Sequence, residues 1–298
     1  MYDNMKKAVV TGGAGFIGSH IVDALIASGY ETHVVDNLSN GSRDNVNSSA
    51  TLHEVDIRDY DALRAIFDGA ELVFHLAALP RVQFSIEHPD ISHDHNVNGT
   101  LNVLRAAKDA GVRRVIYSAS SSAYGDQPMP LKEDLPARPK SPYGLQKYVG
   151  ELMCSLYAEI YKLETVSLRY FNVYGPRMNP LGAYPLVIGY FLKLKKEGKP
   201  LTITGDGTQT RDFVNVLDVV RANMLAATSA SVGCGEVINI GGGNNVSVNR
   251  IAELIGGPTE YIDARLEPHD TLADTTRARK LLGWSTTVSI EDGVREIL

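Results

Sequence analysis

The run Val9-Val10-Thr11 passes without a break into Gly12-Gly13-Ala14-Gly15-Phe16-Ile17-Gly18, so glycines at GxxGxxG spacing separate a β-branched stretch from an amphipathic one. Few folds accommodate that junction. A strand that turns into a helix within so few residues needs positions without Cβ, and the N–H groups at the new helix start face any anion bound there. Gly12, Gly15 and Gly18 are the candidates for close approach to a pyrophosphate. Asp36 closes the next apolar run, where a carboxylate can accept hydrogen bonds from an adenosine ribose and repel a 2′-phosphate. The pattern therefore favours NAD over NADP. A glycine turn alone is a weak sign, since any tight strand-to-helix connection can use one; strand, loop, helix and acidic residue in sequence are far more specific. No GxxxxGK[ST] run is present, which argues against a P-loop site. Asp56, after the third apolar run, is a candidate for the adenine side of the cofactor, with a turn cap as its ordinary alternative.

The rest of the chain repeats the same rhythm. Short, nearly all-apolar runs at 6–11, 31–36, 51–55, 72–75, 114–118 and 165–170 read as strands covered on both faces. Helical patterns at 15–28, 60–67, 97–110 and 142–160 lie between them, the last two long enough to cross back over a sheet. Right-handed crossovers then predict an α/β fold, a doubly wound parallel sheet of the Rossmann kind with ligands at the carboxyl ends of its strands. After Tyr174-Gly175-Pro176-Arg177 the rhythm breaks into shorter elements with more Gly, Pro and polar turns. Residues 1–174 therefore read as an NAD-binding domain and 175–298 as a smaller, interleaved α/β substrate lobe. Within that lobe 237–240 reads as one more strand, so about 212–242 is expected to return to the main domain.

Composition narrows the partners. A formal charge of −6 over 298 residues, with no block of like charge, argues against nucleic acid or an anionic membrane as the main partner. Cys154 and Cys234 stand far apart with no CxxC or Cys/His pattern, so neither a disulfide framework nor a zinc site is indicated. The stretch before Ala8 is polar and the apolar run after it short, which suggests neither a signal sequence nor a membrane span and makes the cytoplasm the expected location. His88, His93 and His95 crowd one segment, but their spacing fits no compact metal site and a polar helix start accounts for them. Tyr184 to Leu192 is apolar yet too short to span a bilayer, and reads as a buried helix. Lys193, Lys195, Lys196 and Lys199 read as its solvated end.

Tyr143 and Lys147 are spaced i,i+4 and share one helix face, with Ser141-Pro142 before them as N-cap and first helical residue. A cation beside a phenol favours the phenolate, so Lys147 together with an oxidised nicotinamide is expected to bring Tyr143 down from about 10 toward neutrality, where it serves as a general base. The pair alone is unspecific, for chance supplies about one in two chains of this composition, and Tyr2 with Lys6 forms a second. What distinguishes Tyr143 is the serine cluster Ser118-Ala119-Ser120-Ser121-Ser122-Ala123-Tyr124-Gly125 at the end of the fifth strand. A hydroxyl there can donate to a sugar oxygen, while some of these serines will satisfy backbone groups instead.

Taken with Asp36-Asn37-Leu38-Ser39, His75-Leu76-Ala77-Ala78, Asn96-Val97-Asn98-Gly99-Thr100, Arg169-Tyr170-Phe171-Asn172, Gly205-Asp206-Gly207 and Arg211-Asp212-Phe213, these motifs resemble the extended short-chain dehydrogenase/reductases. Among those the chain looks like the nucleotide-sugar 4-epimerases. The resemblance implies a tightly held NAD, reduced and reoxidised within each turnover, and a homodimer. It implies that Tyr143 takes the proton from the sugar 4-hydroxyl, Lys147 holds the nicotinamide ribose and Ser120 bonds the reacting oxygen. Cofactor contacts are implied at Gly12, Gly15, Phe16, Ile17, Gly18, Asp36, Asn37, Leu38 and Ser39. Further ones fall at Asp56, Ile57, Leu76, Ala77, Ala78, Ser118, Tyr143, Lys147, Phe171 and Val173.

For the substrate, a UDP-sugar, the resemblance implies Ser120, Ser122, Tyr143, Asn172, Leu186, Val187, Arg211, Arg265 and Thr271. Arginine forks suit a diphosphate, with a surface ion pair as the ordinary alternative. Leu186 and Val187 fall where the family holds the uracil ring. Around Arg265 the chain departs from the family, reading Arg265-Leu266-Glu267 in a stretch one residue shorter than usual before Leu272-Ala273-Asp274. Dehydratases and decarboxylases of the family carry Glu, often preceded by Asp, where this chain has Ser121 and Ser122, and serine is a poor acid for a leaving hydroxyl. Thr271 matches the position where a bulky tyrosine excludes a 2-acetamido group, so the resemblance leans to UDP-N-acetylglucosamine and its 4-epimer, with UDP-glucose also accepted. A UDP-uronic acid epimerase, a dehydratase or decarboxylase, and a non-catalytic NAD sensor are the alternatives.

Overall fold

The computed structural model describes residues 5–178, 187–263 and 270–298. The first six strands follow the apolar runs: β1 (Lys7–Thr11), β2 (Glu31–Val35), β3 (Thr51–His53), β4 (Ala70–His75), β5 (Arg114–Ser120) and β6 (Glu164–Tyr170). Six shorter or later ones complete the set: β7 (Asn172–Tyr174), β8 (Leu201–Thr204), β9 (Thr210–Asn215), β10 (Cys234–Ile240), β11 (Asn245–Ser247) and β12 (Thr259–Ile262). Seven of them form one sheet in the order β10-β6-β5-β4-β1-β2-β3, and every pairing in it is parallel. This is an α/β fold of the Rossmann type with β10 added at one edge. The chain leaves β1 toward β2 and β3 and then returns to β4 on the other side, so the crevice above β1 and β4 is the place for a ligand.

Alternate side chains of the central strands enter opposite cores. Ala8, Val10, Leu72 and Phe74 pack with Ile21, Leu25, Val219 and Trp284 on one face, while Val9, Val73, Val115 and Tyr117 pack with Val103, Leu104 and Cys154 on the other. A period of two read onto two covered faces explains why the strand sequences show no polar alternation. The helix Gly99–Asp109 starts later than its sequence pattern because Asp94–Asn98 winds as a π turn ahead of it. From β7 onward the strands outside the main sheet sort into a three-stranded sheet, β11-β9-β7, and a two-stranded one, β12-β8. Tyr174, Ile188, Phe191, Ile203 and Ile251 form a separate core there. The helix Val187–Lys196 covers the described part of the apolar stretch read from sequence; Tyr184 to Leu186 lie outside the described residues.

One side chain ties the late return of the chain to the sheet. Arg114, at the start of β5 and 4% exposed, donates to the carbonyls of Ala226 at 2.7 Å, Ser229 at 2.8 Å and Val232 at 2.9 Å, and to Glu164 at 2.8 Å. These carbonyls end the helix Val216–Thr228 and open the turn into β10. Arg114→Met fills the same space but leaves three acceptors without their charged donor. It is expected to lower the urea-unfolding free energy by about 3 kcal/mol; an unchanged midpoint would show the clamp to be dispensable.

Candidate functional site

The glycine turn packs backbone on backbone. Gly12 has φ +75°, and a Cβ there would lie 2.6 Å from the Ala77 nitrogen; one at Gly18 would lie 2.1 Å from the Gly12 oxygen. The turn at the end of β1, the helix start and the Leu76-Ala77-Ala78 loop after β4 are thereby held in contact. Gly15 is the N-cap of the helix Phe16–Ala27, which has neither a side-chain cap nor an acid in its first turn. The N–H dipoles of Phe16, Ile17 and Gly18 are therefore uncompensated, the condition for an anion to bind there.

Asp36, 8% exposed, accepts from the Ala14 N–H at 3.0 Å on one carboxylate oxygen and from the Leu38 N–H at 2.8 Å on the other. Burial raises its pKa and these two bonds oppose the rise. Each oxygen retains acceptor capacity for a hydroxyl. The glycine cradle, the bare helix start and this carboxylate together fit an adenosine diphosphate moiety.

Asp56 proves to be occupied within the protein. Its carboxylate accepts the Arg58 N–H at 2.9 Å, the Arg58 guanidinium at 2.9 and 3.0 Å and Asn37 Nδ2 at 2.9 Å. Burial pushes the acid up, but Arg58 and Asn37 outweigh it and hold the group far below the usual range. The Asn37 carbonyl oxygen meanwhile accepts from the Ser39 N–H at 3.0 Å. Asp56 and Asn37 thus brace the loops after β3 and β2, and Arg58, which sequence reading passed over, decides that outcome. His95 approaches the same acid at 3.8 Å. Ile57, Phe171 and Val173 are at most 6% exposed, with side chains in hydrophobic cores, so a ligand would meet mainly their backbone.

At the end of β4, His75 bridges two threonines, with Nδ1 at 2.7 Å from Thr11 Oγ1 and Nε2 at 2.9 Å from Thr100 Oγ1. The Thr100 hydroxyl donates to the Asn96 carbonyl at 2.6 Å, so it can only accept from His75. Nε2 consequently carries the ring proton and Nδ1 accepts from Thr11. Burial, with the Lys147 charge, depresses this imidazole to about 3. Asn96 grips the loop after β4 in both directions, through the Leu79 N–H at 2.7 Å and the Leu79 carbonyl at 3.1 Å, and also donates to Gln146 at 2.8 Å.

The helix Pro142–Tyr161 begins as its sequence suggests, with the Ser141 hydroxyl accepting from the Gly144 N–H at 3.1 Å and Pro142 in the first turn. The Tyr143 N–H donates to Ser85 Oγ at 3.0 Å, a partner no motif pointed to. Lys147, 4% exposed, donates to the Ser118 carbonyl at 2.8 Å and lies 4.9 Å above the Tyr117 ring. Ser120 Oγ accepts from the Ser122 hydroxyl at 2.8 Å and the Ser122 N–H at 3.2 Å, which leaves its own proton to point outward. That hydroxyl is the hydrogen-bonding neighbour of the Tyr143 phenol. Among the chain's own groups, burial pushes the phenol up to about 12, with Ser120 opposing; the sequence expectation includes an oxidised nicotinamide beside it. Burial also lowers Lys147 to about 8. Desolvation is the largest influence at both residues, and each group is biased toward its neutral form.

The remaining substrate candidates gather on the short sheets. Asn172 on β7 donates to the Asp212 carbonyl at 3.1 Å, and the Thr271 hydroxyl accepts from the Asp212 N–H at 3.2 Å. Arg211 on β9 donates to the Thr210 carbonyl at 2.9 Å, among other interactions. Val187 lies on the helix Val187–Lys196. Leu186 and Arg265 lie outside the described residues.

Comparison with known proteins places this geometry. Residues 8–241 match the model of the NAD dependent epimerase/dehydratase family. The UDP-glucose 4-epimerase of Thermotoga maritima, solved with UDP-glucose, is 39% identical and superposes with a TM-score of 0.92 over 97% of this chain and 96% of that one. The UDP-N-acetylglucosamine 4-epimerase of Methanobrevibacter ruminantium, solved with UDP-N-acetylmuramic acid, is 37% identical with a TM-score of 0.93 over 98% and 96% of the two chains. A UDP-glucuronate 4-epimerase of Thermodesulfobacterium geofontis is 37% identical over 98% of this chain and 94% of its own. No helix among the described residues is long and apolar enough to cross a membrane.

The buried His75 has a measurable cost in acid. An unfolded chain takes up a proton on this ring near pH 6.5, while the folded protein holds it neutral to about 3. The unfolded state binds more protons between those values, so stability falls as pH falls through that window, by about 1.4 kcal/mol per unit. His75→Gln keeps hydrogen-bonding groups but cannot titrate, and is expected to flatten this share of the slope between pH 6.5 and 4.5 in denaturant titrations. Parallel slopes for the two proteins would contradict the assignment.

Proposed function

The chain belongs to the NAD-dependent epimerase/dehydratase family, and from that premise we propose that it is a UDP-sugar 4-epimerase acting on UDP-N-acetylglucosamine and its C4 epimer, with UDP-glucose as a second substrate. The observation that carries the reading is the Ser120 hydroxyl acting on the Tyr143 phenol, one turn along the same helix from a buried Lys147, with serines at 121 and 122. NAD, when bound, accepts a hydride from C4 of the sugar and returns it to the opposite face.

The protein's own residues manage the proton. Tyr143 takes it from the 4-hydroxyl as the carbonyl forms, and gives it back when the alcohol is restored. Ser120, whose lone pairs are engaged by Ser122, donates to the same sugar oxygen and steadies the charge that develops there. Lys147 adds a positive charge behind the phenol, anchored on the Ser118 carbonyl and excluded from water. Asp36 and the bare start of the helix Phe16–Ala27 hold the two halves of an adenosine diphosphate. Since Ser121 and Ser122 offer no group able to protonate a leaving hydroxyl, the 4-keto sugar is reduced again and loses no water. The lean to the N-acetylated sugar rests on the small side chain of Thr271, the site of a bulky tyrosine in epimerases that exclude it.

The test is incubation of the purified protein with UDP-N-acetylglucosamine, UDP-glucose and UDP-glucuronate, without added NADH, and identification of products by NMR. C4 epimers are expected from the first two, with the N-acetylated pair faster. Turnover of UDP-glucuronate alone would move the protein to the uronic acid epimerases, and a 4-keto-6-deoxy product would overturn the epimerase reading. Tyr143→Phe is expected to lower kcat by about 10² to 10⁴ while the protein retains its NAD.

A further inference from the structure

Asp212 has no place in the chemistry above, yet three of the proposed substrate residues converge on it. It lies on β9 next to Arg211 and is fully buried. Its backbone carbonyl accepts from Asn172 on β7 and its backbone N–H donates to the Thr271 hydroxyl. Its carboxylate does more. One oxygen accepts from the Gly242 N–H, and the other from the Ala273 N–H at 2.8 Å and the Gly243 N–H at 3.3 Å. These donors belong to two segments far apart in sequence, the turn after β10 and the stretch that follows Thr271.

The turn is shaped around the acid. A Cβ at Gly242 would stand 2.2 Å from the Phe213 carbonyl and 3.0 Å from the Asp212 carboxylate, so only glycine lets the backbone come this close. The facing stretch is fastened on its other side to Leu131, through the Leu272 carbonyl at 2.8 Å and the Asp274 N–H at 2.9 Å. It is thus held between two anchors, of which Asp212 is the one beside Asn172, Arg211 and Thr271.

We propose that Asp212 is a positioning residue for the nucleotide sugar: its carboxylate latches the Gly242 turn and the Thr271–Ala273 stretch onto β9, and UDP affinity depends on that latch being closed. This rests on the functional reading above. Burial pushes the acid up to about 6 against the pull of its three N–H donors. Below that value a proton occupies an oxygen that those donors need, so the latch weakens as pH falls. Among the described residues, charged or titratable groups on the elements around it are Arg211 on β9, Asp270 and Asp274 on the facing stretch, Tyr174 on β7, Asp218 and Arg221 on the helix Val216–Thr228, and Glu291, Asp292, Arg295 and Glu296 on the helix Ile290–Glu296. Asp274 is held below the usual range by Thr276, and burial pushes Tyr174 up to about 12.

The test is calorimetric titration of the NAD-loaded protein with UDP at pH 7.5 and pH 5.0, for wild type and Asp212→Asn. Wild-type affinity is expected to weaken about tenfold more than the variant's between the two values, because the terminal phosphate of UDP titrates alike in both and only the wild type takes up a proton at 212. The variant, retaining NAD, is expected to bind about tenfold more weakly already at pH 7.5 and to show only the pH dependence of the ligand's own phosphate. Its KM for UDP-N-acetylglucosamine should rise by the same factor with kcat nearly kept. Wild-type binding that does not vary with pH overturns the proposal, whether or not the variant folds. So does a variant that binds like wild type or repeats its pH dependence. A wild type that binds UDP but turns over no UDP-sugar overturns the functional reading and leaves the latch standing; one that binds no UDP at pH 7.5 overturns both.

Discussion

Everything at the candidate site depends on an ammonium group placed where water cannot reach it. Lys147 lies against the carboxyl end of β5, with a carbonyl at hydrogen-bond distance and an aromatic ring beneath it. A lysine in such a place loses hydration that one hydrogen bond and a cation–π contact only partly replace, and its pKa falls to about 8. The same exclusion of water raises the Tyr143 phenol to about 12. Burial therefore moves acid and base in opposite directions and favours the uncharged pair. Positive charge brought near the phenol would lower its pKa again.

The support for that lysine continues down the helix. Tyr143, Lys147 and Glu151 recur at intervals of four and share one face. Glu151 forms two bonds of 2.8 and 2.7 Å with Arg169 on β6, both residues being almost completely buried. Arg169 also stands 4.5 Å over the Tyr124 ring, and its remaining Nη1 has no partner. A buried ion pair of this kind contributes little net stability once desolvation is counted, but it fixes geometry strongly, because either charge left alone would be very costly. It holds the helix in register against β5 and β6. Gly150 serves the same packing, since a Cβ there would lie 2.2 Å from the Tyr117 hydroxyl.

Much of this was legible in the residues because the signals are local. The glycine turn, the Ser141-Pro142 start and the apolar runs of β1 to β6 each depend on neighbours a few positions away, and the observed elements follow them closely. Legibility fails where a residue's role is set by a distant partner. Asp56 reads equally well as a cofactor ligand or a turn cap, and nothing in the sequence shows that Arg58 and Asn37 bond to it. His75 carries no sign in sequence that Thr11 and Thr100 will fix its tautomer. The strands β8 and β12 are too short to declare themselves, and pair across more than fifty residues of chain. The burial of the Tyr143 phenol is likewise out of reach, because a sequence shows the cation four residues away but not how little water remains around it.

Thr271 shows how a residue read for its size also acts through a bond. Thr271 enters the argument as a small side chain where some epimerases have a large one. In the structure its hydroxyl accepts from the Asp212 N–H, and its own N–H donates to the Thr210 carbonyl at 3.2 Å, so it is sewn onto β9 from both ends. A larger residue here would fill space and remove a bond that holds the neighbouring backbone. Thr271 and the strand that carries Arg211 are thus one mechanical unit, and a change of side chain at 271 also disturbs the backbone beside Arg211.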